Sequence, residues 1–285
     1  MTAFLDHMAT GTTEVCRCWR LTRTDGMVLG FTDHDRDLTF DGTQFRADTG
    51  LSARAIAQGT GLSVDNTEAL GVLSADAIRE ADIEAGRYDG ATVEAWLVRW
   101  SDISARMLRF RGTIGEVSRG GGGFRAELRG LTDLLNQPMG RIYQPLCQAV
   151  LGDAACGVDL DEDGFAQTLA ADTVEDGRVF TFSGLGLLAD RWFERGLIQP
   201  QDGDAAGLSG VIKTDRRLDG GSRRIELWEP FRAGVATADT PRLVPGCDKR
   251  MKTCRDKFVN VINFRGFPTI PGDDWLIAVP RERAT

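Results

Sequence analysis

The sequence predicts a mainly β fold of the α+β class, arranged as two barrel-like or sandwich-like domains with few short helices. Three observations predict this fold class. Short segments of alternating apolar and polar residues recur along the chain, turn signals separate them, and few segments have the period of a helix. Pro138, Gly140 and Pro145 mark a boundary, so we expect one domain over residues 1–140 and a second over residues 141–285.

The first domain begins with two predicted hairpins. Asp-Gly turn signals at residues 25–26 and 41–42 each separate a pair of short apolar segments. A helix is expected over residues 74–85 with Ser74 as its N-cap, and a short helix over residues 131–135. The expected strands of this domain cover residues 16–21, 28–31, 38–40, 93–98, 107–114 and 124–128.

The glycine run at residues 120–123 is expected to form a flexible hairpin tip. Because no Lys-Ser or Lys-Thr pair follows it, it lacks the pattern of a phosphate-binding loop. The second domain is expected to be rich in turns, with a C-terminal loop over residues 264–275. Its expected strands cover residues 165–169, 179–182, 211–213 and 225–228.

Composition excludes several functional classes. The 285 residues are 42% hydrophobic and 27% charged, as in soluble globular proteins. No apolar run approaches the roughly 20 residues that a membrane helix needs, and the N-terminus lacks the pattern of a signal peptide. We therefore expect synthesis in a reducing cytoplasm and no membrane span. The net charge of −8 argues against nucleic-acid binding by the chain as a whole.

Four of the six cysteines form two widely separated pairs. Cys147 and Cys156 enclose eight residues, and Cys247 and Cys254 enclose six. Zinc knuckles place paired ligands only two to four residues apart, whereas the corners of a four-iron cluster are spread in space. The spacing therefore favours an iron–sulfur cluster, leaves zinc open, and is also compatible with buried, inert thiols.

Local charge agrees with a negatively charged centre. Residues 242–257 contain six basic and two acidic side chains within an acidic protein. Such a centre needs nearby hydrogen-bond donors and positive charge. The N–H groups of Gly157 and Gly246 are candidate donors to sulfur, because glycine has no Cβ. Cys16 and Cys18 alternate along a predicted strand and are expected to be core residues that face the same side.

Catalytic alternatives have weaker support. A cysteine hydrolase with Cys147 as nucleophile needs a base, yet the only histidines are His7 and His34, far upstream. Three carboxylates in the segment 33–37 would share a face of an extended strand and suit a hard cation. A polar turn between strands, whose aspartates bond to their own backbone, is the preferred interpretation. No dinucleotide fingerprint or second cluster motif supports redox catalysis.

The motifs themselves resemble a known family. Residues 29–38 (LGFTDHDRDL), with Asp41-Gly42 and Thr49-Gly50-Leu51, resemble the opening of a family of conserved phage proteins. The second half carries a more specific signature, in three parts: Cys147 with 151–153 (LGD) and 156–159 (CGVD), 245–249 (PGCDK) with Cys254, and 257–268. The family is similar to the tail hub proteins of alphaproteobacterial gene transfer agents, and more distantly to the iron–sulfur-binding minor tail protein L of phage lambda.

This resemblance implies a structural, non-enzymatic hub in a tail or baseplate. Such a hub is a homotrimer that links a ring of distal tail protein to the central tail fibre or tip protein, around a channel that DNA crosses without specific binding. It implies assembly in the cytoplasm and a final place at the distal tail of the released particle. It also implies an iron–sulfur cofactor, most simply [4Fe-4S], on Cys147, Cys156, Cys247 and Cys254. The alternative function is a cysteine hydrolase of the tail tip that degrades the cell wall.

Overall fold

The computed structural model describes residues 2–47, 51–53, 66–72, 78–120, 123–130, 140–162 and 164–271. These residues form sixteen strands in two sheets, with a few short helices. The predicted mainly β fold class is therefore confirmed. The chain divides into two compact units, Met1–Met139 and Gly140–Thr285. Among the described residues, no helix has the length and apolar character needed to cross a membrane.

The first unit is built on a nine-stranded sheet, in the order β3-β4-β2-β1-β7-β8-β9-β6-β5. Only the β2–β4 pair is parallel among the described pairings. The elements are α1 (Thr2–Ala9), β1 (Val15–Thr22), β2 (Val28–Thr32), β3 (Leu38–Phe40), β4 (Thr43–Arg46), β5 (Leu51–Ala53), β6 (Asn66–Val72), α2 (Glu80–Glu84), β7 (Thr92–Arg99), β8 (Arg106–Gly120) and β9 (Gly123–Gly130).

Strand β1 places buried apolar side chains on both faces of the sheet. Successive side chains of a strand point to opposite faces, and here each set includes two buried apolar residues. Trp19 and Leu21 join one core cluster, while Cys16 and Cys18 join another with Phe45. The prediction that Cys16 and Cys18 are core residues is confirmed. Both predicted hairpins also form, with Thr22 opposite Val28 and Phe40 opposite Thr43.

The helix predicted over residues 74–85 is shorter where the structure describes it. Arg79 has extended backbone angles and precedes α2, which begins at Glu80. Ile78 lies before the helix and is buried in the core of the sheet, so packing and not helical period decides its position. The predicted N-cap Ser74 and the predicted helix over 131–135 lie outside the described residues, as does the middle of the glycine-rich tip.

The second unit contains a seven-stranded antiparallel sheet, in the order β10-β16-β13-β14-β15-β12-β11. Short 3-10 helices lie at Asp219–Gly221 and Val261–Asn263. The other elements are β10 (Gln167–Thr168), β11 (Thr173–Glu175), β12 (Val179–Phe182), β13 (Leu197–Pro200), β14 (Gly210–Arg217), β15 (Arg223–Leu227), β16 (Pro241–Val244) and α3 (Met251–Asp256). The sequence analysis did not predict β11, β13, β16 or α3.

A buried ion pair lies within the apolar core of this second sheet. Asp215 of β14 and Arg223 of β15 are both fully buried, with Nη1 of Arg223 2.6 Å from Oδ2 of Asp215. The guanidinium also donates to the carbonyls of Leu188 and Ala189, and the N–H of Phe193 donates to the carboxylate. Burial raises the pKa of Asp215 in spite of these partners. Removing any one of these partners would therefore leave a buried charge less well compensated and destabilise the unit.

Candidate metal centre

The four predicted ligands lie in the second unit, outside the strands. Cys147 and Cys156 belong to an irregular segment before β10, Cys247 follows β16, and Cys254 lies in α3. Hydrogen bonds join the two segments across the sequence. The N–H of Cys147 donates to the carbonyl of Lys249 at 2.8 Å, and Nζ of Lys249 donates to the carbonyl of Ala149 at 2.6 Å. These bonds bring the first pair of cysteines beside the second pair.

Asn260 makes a second connection, between Cys156 and Cys254. Its Nδ2 donates to the carbonyl of Cys156 at 2.6 Å and lies 3.8 Å from the Cys156 sulfur. Its backbone N–H donates to the carbonyl of Cys254, and its own carbonyl accepts the Cys254 thiol at 3.2 Å. One buried residue, through its side chain on Cys156 and its backbone on Cys254, thus holds together two cysteines that are ninety-eight positions apart in the sequence.

A backbone donor faces the sulfur of Cys147. The N–H of Arg265 lies 3.4 Å from Sγ of Cys147, and its guanidinium Nε donates to the carbonyl of Ala155 at 3.3 Å. The predicted donors Gly157 and Gly246 do not serve this purpose. Their N–H groups donate instead to backbone carbonyls: Gly157 to Asp153 within a turn, and Gly246 to the distant Trp192. That prediction was wrong.

Electrostatics shows that the four sulfurs share one neighbourhood. Burial raises the pKa of the Cys254 thiol, and the charges of Cys147, Cys156 and Cys247 raise it further. Burial also raises the pKa of the Cys247 thiol. Lys249 lowers this pKa and Cys147 raises it, each by less than burial does. Since a thiolate is the form that binds metal, the raised pKa values of Cys247 and Cys254 mean that a metal must displace the protons of these two thiols.

The present arrangement does not form a closed site for a single ion. Across the described parts of the chain, which include all six cysteines, no group of three or more His, Cys, Asp or Glu side chains has the geometry to hold a metal ion. The hydrogen bonds and charges described above make the four cysteines neighbours. Their role as ligands stays a prediction.

Two further residues hold the cysteine-bearing segments in place, and the sequence analysis missed their roles. Asp153 accepts the N–H groups of Val150 and Cys156, which lowers the pKa of its carboxyl and closes the loop between the first two cysteines. Lys257 follows α3 and donates to the carbonyls of Trp192 and Gly246. Burial lowers the pKa of Lys257 to about 8. Lysine is scarce in this sequence, and its clustering around residues 249–257 was the only sequence signal for the role of Lys257.

The rival sites in the first unit have ordinary structural roles. The segment 33–37 is a series of bends and not a strand. Asp33 accepts the N–H of Arg17 at 2.6 Å, and Asp37 accepts the N–H of Ala47 at 3.0 Å. The polar turn between strands is confirmed, but these carboxylates accept from distant segments of the chain and not from their own backbone. Both histidine rings accept backbone N–H groups within this unit, His7 from Glu14 and His34 from Arg36.

Comparison with known proteins identifies the family. Residues 1–159 match the family model described as "Baseplate hub protein, N-terminal attachment domain", and residues 191–274 match the family described as "Phage conserved hypothetical protein BR0599". No curated protein matches the chain significantly.

A solved structure gives full-length similarity. A chain in the structure entitled "Virion of native gene transfer agent (GTA) particle" is 53% identical, with a TM-score of 0.91, over 100% of this chain and 98% of that one. Together these matches confirm the resemblance that the sequence motifs indicated. The chain belongs to the family of phage baseplate hub proteins.

Proposed function

We propose that this protein is a structural hub in the distal tail of a phage-like particle of the gene transfer agent type, and that it catalyses no reaction. The observation that carries the proposal is 53% identity, over the full length, to a chain of a gene transfer agent virion. The histidines and aspartates considered for catalysis accept backbone N–H groups within the first unit, as expected of structural residues.

In the particle, the hub forms a homotrimer that joins a ring of distal tail protein to the central fibre or tip protein. The first unit makes the ring contact, which is supported by its match to an attachment domain. The trimer surrounds the channel for DNA, which passes without specific binding. A net charge of −8 supports this, since phosphate contacts require a surplus of basic side chains. Assembly takes place in the cytoplasm, before the particle is released.

We further infer that Cys147, Cys156, Cys247 and Cys254 hold one iron–sulfur cluster, of the [4Fe-4S] type. The donor set fits this group, because it consists of four thiols with a backbone N–H near the sulfur of Cys147 and a side-chain amide near the sulfur of Cys156. When bound, the cluster supplies four iron–sulfur bonds that fasten together segments about ninety residues apart.

The role of the cluster in this proposal is mechanical. The cysteine-bearing segments contain one short helix and no strand, so few backbone hydrogen bonds hold them together. A cross-link that closes a long loop stabilises a fold by restricting the unfolded chain, and metal binding adds its free energy directly to folding. Asn260 and Lys257 orient the segments, and the basic residues around them offset the negative charge of the ligands.

The place of the protein in the particle is tested by electron microscopy of purified particles labelled with antibody against this chain. We expect label at the distal end of the tail, and fractionation of particles should recover the protein in the tail fraction. Label confined to the capsid, or a protein absent from particles, would refute the structural proposal.

The cluster is tested by purification without oxygen, followed by iron and acid-labile sulfide analysis. We expect about four irons and four sulfides per chain, and loss of most of both in Cys254→Ser. Cys16→Ser is the matched control, because Cys16 is buried in the other unit and should change stability but not iron content. A colourless protein with one zinc would replace the cluster by a zinc site, and a metal-free protein would end both interpretations.

A further inference from the structure

Residues 141–150 and 249–267, which carry Cys147 and Cys254, combine exposed apolar side chains with a surplus of basic side chains. Of the large apolar side chains that the described part of the second unit exposes, most lie in residues 141–150 and 249–267. They include Ile142, Tyr143, Val150, Val259, Ile262 and Phe267. Tyr143 is 72% exposed and Ile262 is 90% exposed. Apolar groups exposed in such a concentration mark an interaction surface. We call these two segments the docking face.

The two segments are neighbours in space and not only similar in composition. The rings of Tyr143 and Phe267 lie 4.8 Å apart between centroids, and the N–H of Phe267 donates to the carbonyl of Gln144 at 2.9 Å. On the other side of the cysteine centre, the side chain of Asn260, between Val259 and Val261, bonds to Cys156. The centre therefore holds the apolar groups of both segments in one region.

The docking face carries a surplus of positive charge. The two segments contain seven basic residues and one acidic residue, Asp256, within a chain of net charge −8. That acidic side chain is already paired with Arg255 at 2.7 Å. Five of these seven basic residues are exposed beside the apolar groups, so a partner must offer carboxylates around apolar side chains of its own.

We propose that the docking face binds an apolar segment, flanked by Asp and Glu, of another protein of the particle. Aromatic rings, methionine and arginine are the groups that protein interfaces favour, and Tyr143, Phe267, Met251, Arg250 and Arg255 supply them. Nucleic acid is a poorer fit because phosphates gain nothing from exposed aliphatic groups. A lipid surface shares the charge, but virions assemble through protein contacts, and the similar chain belongs to a virion.

The inference rests on the proposed function only in taking the particle as its setting. It makes a claim that the proposed function does not, namely that the cysteine centre presents a partner-binding surface in addition to stabilising the fold. Since the apolar groups lie on irregular segments, their arrangement depends on the contacts that hold those segments together.

Photocrosslinking in assembled particles tests the proposal. A p-benzoylphenylalanine replaces Tyr143 in one variant, Ile262 in a second and Leu187 in a control, because Leu187 is fully exposed on the same unit outside the face. We expect crosslinks to a different particle protein from positions 143 and 262, within a peptide that carries Asp or Glu beside apolar residues. Position 187 should give at least about fivefold less of this product.

Charge reversal supplies the second arm. Lys252→Glu on the face should lower the yield of the same crosslink about fivefold, and Arg232→Glu, an exposed cation of the same unit off the face, should leave it unchanged. Crosslinks to a second copy, DNA or lipid, or equal yields at all three positions, would overturn the proposal. Absence of the protein from particles would instead refute the proposed function, so the two failures are distinguishable.

Discussion

Different interactions stabilise the interior of each of the two units of this protein. In the first, a nine-stranded sheet has apolar clusters on both faces, one around Trp19 and Phe110 and the other around Phe45 and Trp96. In the second, a seven-stranded sheet has one large cluster, and the cysteine-bearing segments lie outside the strands. The strands of both units bury apolar clusters, whereas hydrogen bonds of side chains such as Asn260 and Lys257 join the irregular segments of the second unit.

The largest expected effect concerns the buried ion pair of the second unit. Arg223→Met should destabilise that unit by about 5 kcal/mol, because it leaves the Asp215 carboxylate buried without its cation. Denaturant unfolding measures the loss, and hydrogen exchange of β14 and β15 locates it.

A double variant, Arg223→Met with Asp215→Asn, is the control. It removes both charges and keeps an acceptor for the N–H of Phe193, so it should recover most of the lost stability. A single variant as stable as the original would show that polar contacts do not distinguish the second unit from the first.

In the first unit, the corresponding change removes an apolar ring. Phe45→Ala should cost about 4 kcal/mol, since this fully buried side chain stacks on Phe40 at 4.2 Å and meets Trp96 edge-on. Thermal unfolding measures the loss, and Phe45→Leu should restore more than half of it. The iron content should not change in either variant, and a change in iron content would contradict the separate roles of the two units.

Acidity should weaken metal loading of the second unit. The raised pKa values of Cys247 and Cys254 mean that the folded, metal-free chain keeps these protons at neutral pH, so each must be displaced before a metal binds. Each displaced proton corresponds to roughly a tenfold loss of affinity per unit decrease in pH, so these two thiols alone contribute a loss of about a hundredfold. Titration of the metal-free chain with Zn²⁺ between about pH 6 and 8 measures this slope, and a flat profile would show that the thiols are not the ligands.

The smallest effect is expected at the contact between Cys156 and Cys254. Asn260→Leu keeps the volume but removes the donor to the Cys156 carbonyl, and should cost about 2 kcal/mol and speed the loss of iron to a chelator. Asn263→Leu is the matched control, because its amide reaches only the side chain of Asn260 among the contacts described. An equal effect of both variants would show that Asn260 has no special role in joining the cysteines.

Much of the first unit followed from the sequence because its signals are local. Asp-Gly turns and alternating apolar residues predicted both hairpins, and the alternation of Cys16 and Cys18 with Trp19 and Leu21 predicted which side chains share a face. In the second unit, β13 and β16 were missed. Each has only four residues, and their pairing joins positions about forty-five apart, so no local pattern announces it.

The sequence by itself determined the mainly β class, the cysteine set and the family, because strand alternation and motif spacing are properties of the chain's order. Only the tertiary structure decided that Asn260 and Lys257, and not Gly157 and Gly246, hold the cysteine-bearing segments. The physical reason is that a hydrogen bond between remote residues depends on where the whole fold places them. The residues next to Cys147 and Cys156 do not specify the distant Arg265 and Asn260 that face their sulfurs.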